Sequence, residues 1–295
     1  MKVSIVGGSL GGLTAACLLR DLGYDVSVYE RSAVRLEQRG AGIGFLPATY
    51  RYLQSRAGVD LTKISVATSN IVYLDADSNV TYEAAHNYLF SSWNTVYAST
   101  LDHFGMQEYH LGSEMTDFSQ TPESVTVNFK DGRTITSDLL VAADGIGSTA
   151  RSKLIPTSKS EYAGYVAWRG MVPESQLSTE MVERLGSAIT YFVYPHSHIL
   201  VYPIPDHDGR VTPGNRLINF VWYCNYAAGE EFNTLMTDKN GMLRDVSIPP
   251  GYVSENNVAS MKAMALANLP KLLSDLVVAT VEPFIQVIYD IDIDQ

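Results

Sequence analysis

A glycine-rich turn near the N-terminus constrains the fold of this chain more than any other feature. The run Lys2–Val6 is rich in β-branched apolar residues, which predicts a short buried strand. Apolar residues at helical spacing follow from Leu13, Gly23 is placed to end that helix, and Tyr24–Glu30 alternates like a second strand. A strand, helix and strand within about thirty residues form a parallel crossover unit. The turn between strand and helix consists of Gly7, Gly8, Ser9, Leu10, Gly11 and Gly12.

This turn is typical of a dinucleotide-binding site. Glycines let a backbone approach a pyrophosphate closely, and the helix N-terminus presents N–H groups and a positive dipole to it. Ser9 stands where the middle glycine of the motif normally falls, so a plain strand-to-helix turn is the alternative. Glu30, eighteen residues past Gly12, favours dinucleotide binding, because a carboxylate there can accept from both ribose hydroxyls. The same carboxylate disfavours a 2′-phosphate and argues against NADP in this slot.

A second motif follows later in the chain. Leu139–Ala142 is predicted to be a buried strand, and it leads into Asp144-Gly145. Judged by spacing alone, Asp-Gly after a strand is more often an ordinary turn.

The wider run Asp138–Arg151 nevertheless resembles the signature segment of FAD-dependent aromatic hydroxylases of the para-hydroxybenzoate hydroxylase type. Val28–Ser32, Gly40–Gly44 and Gly164–Gly170 agree with this family, and the resemblance covers essentially the whole chain. Tyr202–Pro205 and Leu235–Asp238 are similar to its 2,6-dihydroxypyridine 3-hydroxylase branch.

The resemblance implies a fold, a cofactor and a reaction. The fold is α/β, with a glutathione-reductase-type, Rossmann-like FAD-binding domain and an inserted β-rich substrate domain. The reaction is hydroxylation of an aromatic or N-heteroaromatic ring such as a phenol or hydroxypyridine, using FAD, O₂ and NADH or NADPH. Because the cofactor performs the difficult step, no catalytic acid or base is identifiable. The implied cofactor-binding residues are the turn residues Gly7 to Gly12, with Glu30, Arg31, Gly42, Asp144 and Gly145.

Composition changes along the chain and predicts where the domains divide. Tyrosine, tryptophan and alternating strands dominate from Tyr162 to Tyr226, and 259–278 has a helical pattern. The resemblance places substrate beneath this β-rich region, where the candidates are Trp168, Arg169, Tyr202 and Tyr223, although an aromatic residue on a sheet more often serves packing. The predicted segments are 1–72 with 101–156 for the FAD-binding domain, 73–100 with 157–258 for the substrate domain, and 259–295 returning toward the FAD domain.

Overall composition excludes several function classes. Thirty-two acidic against 21 basic residues give a net charge of −11, which disfavours nucleic acid and anionic lipid as partners. Cys17 and Cys224 have neither disulfide-framework nor metal-ligand spacing, so no metal site is predicted. With no signal peptide or membrane segment recognised, we expect a cytoplasmic protein that binds small molecules, and the family suggests a homodimer.

One departure from the family pattern leaves an alternative open. Family members continue past a strand near Ile288 into a Gly-Asp motif that holds the ribityl chain of the flavin, whereas the present sequence stops at Gln295. The alternative to an active hydroxylase is therefore a truncated, non-catalytic homologue that binds FAD weakly or not at all.

Overall fold

The computed structural model describes residues 1–37 and 40–292, and its strands build three sheets. The strands are β1 (Lys2–Val6), β2 (Asp25–Tyr29), β3 (Gly42–Gly44), β4 (Val66–Leu74), β5 (Val80–Ser92), β6 (Tyr109–His110), β7 (Met115–Gln120), β8 (Val125–Phe129), β9 (Thr134–Ser137), β10 (Leu139–Ala142), β11 (Ser160–Pro173), β12 (Ala188–Tyr194), β13 (Ser197–Ile204), β14 (Leu217–Asn225), β15 (Ser247–Ile248) and β16 (Phe284–Ile291). The helices are α1 (Leu10–Asp21), α2 (Pro47–Ser55), α3 (Trp93–Phe104), α4 (Thr149–Leu154), α5 (Thr179–Leu185), α6 (Glu230–Met236), α7 (Glu255–Asn268) and α8 (Lys271–Ala279).

The N-terminal sheet is parallel and has the strand order β10-β1-β2-β6. Its side chains alternate between two covered faces, as the period of a strand requires. Val3 and Ile5 of β1 pack against α1 and α3, whereas Val6 packs against the three-stranded sheet β7-β8-β9. The predicted strand–helix–strand unit is confirmed. Gly23 follows the end of α1 and has a positive φ of 85°.

Strand β10 differs from the buried strand that its apolar sequence predicts. It pairs with β1 at the margin of the parallel sheet. Leu139 is 38% exposed, and Ala142 is exposed as well. An edge strand is covered less completely than a central one, so an apolar run alone does not establish burial.

The second sheet has nine strands in the order β15-β16-β11-β14-β13-β12-β4-β5-β3. One of its faces is buried against α7 and α8 in the largest apolar core, where Trp168 and Trp222 are fully buried. At the other end the sheet curls, so that Phe90 of β5 stacks on Tyr202 of β13 with ring centroids 4.2 Å apart. This curl brings β3 over the middle of the sheet.

The residue ranges of the two large sheets do not coincide with the predicted domain segments. β4 begins at Val66 within the nine-stranded sheet, whereas α3 packs on α1 beside the parallel sheet. Within 259–295, β16 pairs with β11 and β15 in the nine-stranded sheet rather than returning to the parallel one. The helical pattern over 259–278 forms two helices, because Pro270 cannot continue α7. In the ranges 1–37 and 40–292, no helix is long and apolar enough to cross a membrane.

Candidate functional site

The glycine turn is fixed by close packing at three of its four glycines. A Cβ at Gly7 would lie 2.0 Å from the Ala143 carbonyl oxygen, and one at Gly12 would lie 1.8 Å from the Gly7 carbonyl oxygen. A Cβ at Gly8 would lie 2.3 Å from the Tyr109 hydroxyl. Gly11 differs, because a Cβ there would meet open space within the described residues. Gly11 is exposed, whereas its neighbours Gly7 and Ser9 line the groove described below.

The N-terminus of α1 is suited to an anion. Ser9 is its N-cap residue, yet its side chain makes no capping hydrogen bond to the described residues. The first turn of α1 carries no acidic side chain. Backbone N–H groups at the start of the helix are thus left for a ligand, and the helix dipole favours negative charge there. The Leu10 side chain packs among apolar neighbours, so this residue would bind through its backbone.

Glu30 is held rigidly at the end of β2. The residue is 5% exposed, and its carboxylate accepts from the Gly8 N–H and the Ser32 N–H, each at 2.8 Å. Each oxygen keeps a further lone pair, since an ionised carboxylate has about four acceptor positions. Arg31, the next residue, is exposed. A ribose placed beside Glu30 would find an immobile acceptor and a nearby cation.

Asp144 and Gly145 form a tight turn into α4. The Asp144 carboxylate accepts from the Ser148 hydroxyl at 2.6 Å and from the Ala150 N–H at 3.2 Å. The Ser148 hydroxyl oxygen in turn caps α4 by accepting from the Arg151 N–H at 2.9 Å. Gly145 has a φ of +80°, which strongly favours glycine. Asp144 therefore orders the backbone of this turn.

These segments meet in one groove with a cavity volume of about 390 Å³, within the usual range of ligand sites. The predicted residues that line it are Gly7, Ser9, Glu30, Arg31, Asp144 and Gly145. Nine further residues line the groove and were not predicted, namely Val6, Leu36, Trp93, Ser113, Glu114, Met115, Ala143, Gly147 and Thr149. Gly147 and Thr149 belong to the run that carries the family resemblance, which was the one available signal for them.

A buried tyrosine pair also supports the turn and was missed from the sequence. The Tyr109 hydroxyl donates to the Gly8 carbonyl at 2.8 Å and lies 3.2 Å from the Tyr97 hydroxyl. The Leu36 N–H donates to that same Tyr97 hydroxyl at 3.2 Å. Burial raises the pKa of Tyr109 far above its ordinary value, so its hydroxyl keeps its proton and remains a donor. The hydrogen bonds from Tyr97 through Tyr109 to Gly8 thus join α3 to the glycine turn.

Gly42, predicted to contact the cofactor, lies on β3 against the nine-stranded sheet rather than among the groove residues. Its N–H donates to Asn219 Oδ1 at 3.0 Å, and its carbonyl accepts from Arg169 Nη2 at 2.6 Å. A Cβ at this position would lie 2.6 Å from the Tyr202 ring. Gly42 thus anchors the curled end of the sheet beside two of the predicted substrate residues, Arg169 and Tyr202.

The four predicted substrate residues divide between the two faces of the sheet. Trp168 is fully buried in the apolar core and donates from Nε1 to the Tyr226 hydroxyl at 3.0 Å, so its prediction as a substrate contact is corrected. Successive residues of a strand point to opposite faces, so Arg169 lies on the other side. Tyr223 shares that opposite face and is half-buried. Tyr202 is buried there, and burial raises its pKa to about 12.

Comparisons with known proteins give family matches and relatives. A NAD(P)-binding Rossmann-like domain model matches residues 5–34, and an FAD binding domain-like model matches residues 162–290. The 2,6-dihydroxypyridine 3-monooxygenase of Paenarthrobacter nicotinovorans is 33% identical over all of this chain and 73% of its own length. A FAD-dependent urate hydroxylase of Klebsiella pneumoniae is 28% identical over 69% of this chain and 55% of its own length. The present chain thus spans about three quarters of the first relative and about half of the second.

Solved structures give a similar result. The structure of 2,6-dihydroxypyridine-3-hydroxylase from Arthrobacter nicotinovorans matches with a TM-score of 0.93 and 32% identity, covering 99% of this chain and 73% of that one. Klebsiella pneumoniae HpxO complexed with FAD and uric acid matches with a TM-score of 0.74 at 21% identity, covering 99% of this chain and 68% of that one, which is a likeness of fold alone.

Proposed function

Because the chain belongs to the FAD-dependent monooxygenase family, we propose that it hydroxylates a small aromatic or N-heteroaromatic compound, using FAD, O₂ and NADH or NADPH. The family membership confirms the resemblance predicted from the sequence, together with the α/β fold class. Relatives with this fold are named for hydroxypyridine, aminohydroxybenzoate and urate substrates. By analogy with them, a hydroxylated, electron-rich ring is the substrate class proposed for this chain.

The observation that carries the proposal is the groove between the glycine turn and the Asp144–Gly145 turn. A pyrophosphate would be held at the N-terminus of α1, beside Gly7 and Ser9 of the groove lining. Glu30 would accept from the ribose hydroxyls, with Arg31 beside it. These residues fit the adenosine and pyrophosphate parts of FAD, and the backbone at Gly145 would continue toward the flavin. When bound, FAD supplies the redox chemistry that activates O₂.

Substrate would lie against the sheet face that bears Arg169, Tyr202 and Tyr223. A guanidinium and phenol groups on one face suit a ring that carries oxygen substituents, because they donate hydrogen bonds to hydroxyl or oxo groups. The aromatic side chains on this face would exclude water from the reacting ring. Cys17 and Cys224 are both buried free thiols, which suits the reducing cytoplasm that we propose as its location. A homodimer is part of the same proposal.

The visible absorption spectrum tests this proposal directly. The purified chain is mixed with FAD, desalted and scanned, and then assayed for NADH and NADPH oxidation with dihydroxypyridines and phenols. We expect near-stoichiometric flavin and substrate-stimulated oxidation with formation of a hydroxylated product. A colourless protein that FAD does not stabilise against heat would contradict the proposal and favour the alternative of a non-catalytic homologue.

A further inference from the structure

A cavity of about 510 Å³ lies beside α2 and the start of β4, and it shares no lining residue with the groove described above. We call it the α2 cavity. Its volume is within the usual range of small-molecule sites. Most of its wall is apolar, and the apolar or aromatic side chains that line it are Tyr50, Leu61, Val66, Leu89 and Val211.

Arg216 brings a positive charge to the α2 cavity. Among the described residues that line this cavity, it is the one that carries a charge. Its Nε and Nη2 both donate to Glu174 Oε1, which fixes the plane of the guanidinium. Its Nη1 has no acceptor among the described residues and is not sealed from solvent. The apolar cavity therefore has one immobile cationic donor that remains to be paired.

The backbone of Ala67 adds a second donor at the same place. Ala67 lines the α2 cavity and lies opposite Leu89 in the β4–β5 pair. The Leu89 carbonyl accepts from the Phe45 N–H at 2.8 Å, so it points away from β4. Opposite residues of an antiparallel pair exchange both hydrogen bonds or neither, so the Ala67 N–H and carbonyl also point away from β5. The strand on that side, β12, begins only opposite Asn70, which leaves Ala67 without a strand partner within the described ranges.

A second cavity, of about 470 Å³, meets the α2 cavity at Ala67 and Arg216. Glu183 lines this second cavity, and its carboxylate would repel an anion there. The α2 cavity, by contrast, has no acidic side chain among its described lining residues. An anionic group is therefore best placed at the boundary, with the rest of the ligand extending into the α2 cavity.

We propose that the α2 cavity is an accessory binding site for a monocarboxylic acid with an apolar body. The carboxylate accepts from Arg216 Nη1 and from the Ala67 N–H, and the body packs against Leu61, Leu89 and Val211. Hydrogen bonds between two charged groups are stronger than neutral ones. Because the pair with Glu174 already holds the guanidinium in place, binding costs little side-chain entropy at Arg216. This site goes beyond the proposed function and does not depend on it.

Calorimetric titration of the full chain with octanoate and with 1-octanol tests the charge requirement. The two probes have the same apolar body, and neither contains an aromatic ring. We expect octanoate to bind about tenfold or more tightly than 1-octanol, because a hydrogen bond between charged groups is lost with the alcohol. We expect the octanoate affinity to be the same in excess FAD, because the cavity shares no lining residue with the groove. Equal affinities for the two probes, or loss of octanoate binding when FAD is added, would overturn the proposal.

A pair of alanine variants tests the position of the site. Ala67 is exposed and lies at the boundary of the two cavities, so Ala67→Phe fills the proposed carboxylate position without disturbing the core. We expect this variant to lose octanoate binding. Ala85→Phe is the matched control, because Ala85 is also exposed, lies on the neighbouring strand β5 and lines neither cavity. An Ala67→Phe chain that binds octanoate as tightly as wild type would place the ligand elsewhere and refute the site.

A charge variant gives a second test that keeps the cavity volume. Gln54 is exposed on α2 and lines the α2 cavity, so Gln54→Glu adds a negative charge there with almost no change of shape. We expect weaker octanoate binding and unchanged 1-octanol binding, whereas Gln107→Glu, at an exposed residue outside both cavities, should change neither. Identical octanoate affinities for the two glutamate variants would contradict the proposal. A chain that binds octanoate but no FAD would refute only the proposed function, and an active flavoenzyme that does not bind octanoate would refute only this inference.

Discussion

Gly11 and Gly12 are neighbours in the first turn of α1, but a methyl group at each would meet different surroundings. At Gly12 it would collide with the Gly7 carbonyl, so we expect Gly12→Ala to destabilise the fold by about 1–3 kcal/mol and to abolish FAD binding. At Gly11 it would point into open space, so Gly11→Ala should leave the unliganded protein at least as stable. The same methyl group would obstruct the pyrophosphate. Urea unfolding and FAD titration measure the two effects separately, and equal FAD affinity for Gly11→Ala and wild type would contradict this placement.

We expect the Glu30 carboxylate to contribute measurably to FAD affinity. Glu30→Gln removes the negative charge and turns one of the two acceptors into a donor facing a backbone N–H. We expect FAD affinity to fall about tenfold or more, because losing one hydrogen bond to a charged group is worth about 1.5–3 kcal/mol. Fluorescence titration of FAD measures the change. Glu37→Gln is the control, since Glu37 is exposed and pairs only with exposed Arg35 among the described residues.

At the scale of elements, a buried ion pair joins the end of β11 to the start of β14. Arg216 donates from Nε and Nη2 to Glu174 Oε1 at 3.0 and 2.6 Å, and the Glu174 side chain is fully buried. Removing one partner leaves the other charge buried and uncompensated. We expect Arg216→Leu to lower the free energy of unfolding by about 3–5 kcal/mol in urea titrations. The double variant Glu174→Leu, Arg216→Leu should recover part of this loss; a single variant as stable as wild type would contradict the expectation.

Local elements could be predicted wherever local chemistry decides the structure. The β1–α1–β2 unit follows from apolar spacing and from the glycines, because both act within one turn or strand. Side chains alternate between the two faces of a strand, so the sequence shows that Trp168 and Arg169 point to opposite faces. It does not show which of these faces packs against α7 and α8. The surroundings of Gly42 and the exposure of β10 could not be predicted for the same reason. The neighbours that decide their surroundings, Asn219 for Gly42 and the edge position for β10, are set by the tertiary fold.

At the scale of the whole molecule, burial of ionisable side chains in the nine-stranded sheet links stability to alkaline pH. Burial raises the pKa of Tyr202 to about 12 and that of the Cys224 thiol to about 12, above ordinary values of about 10 and about 8.5. Above those ordinary values the unfolded chain loses these protons while the folded chain retains them. The unfolded state then binds fewer protons, so the free energy of unfolding falls as pH rises toward 12.

Urea titrations between pH 8 and pH 12 measure this alkaline loss of stability. For each buried group the slope is at most about 1.4 kcal/mol per pH unit within its window. Tyr202→Phe should flatten the decline above pH 10, because it removes one group that ionises only in the unfolded state, whereas Tyr82→Phe, at a side chain 56% exposed, should leave the slope unchanged. Equal slopes for wild type and Tyr202→Phe would mean that Tyr202 ionises as readily in the folded sheet as in water. In that case its hydroxyl would be accessible from the substrate side of the sheet.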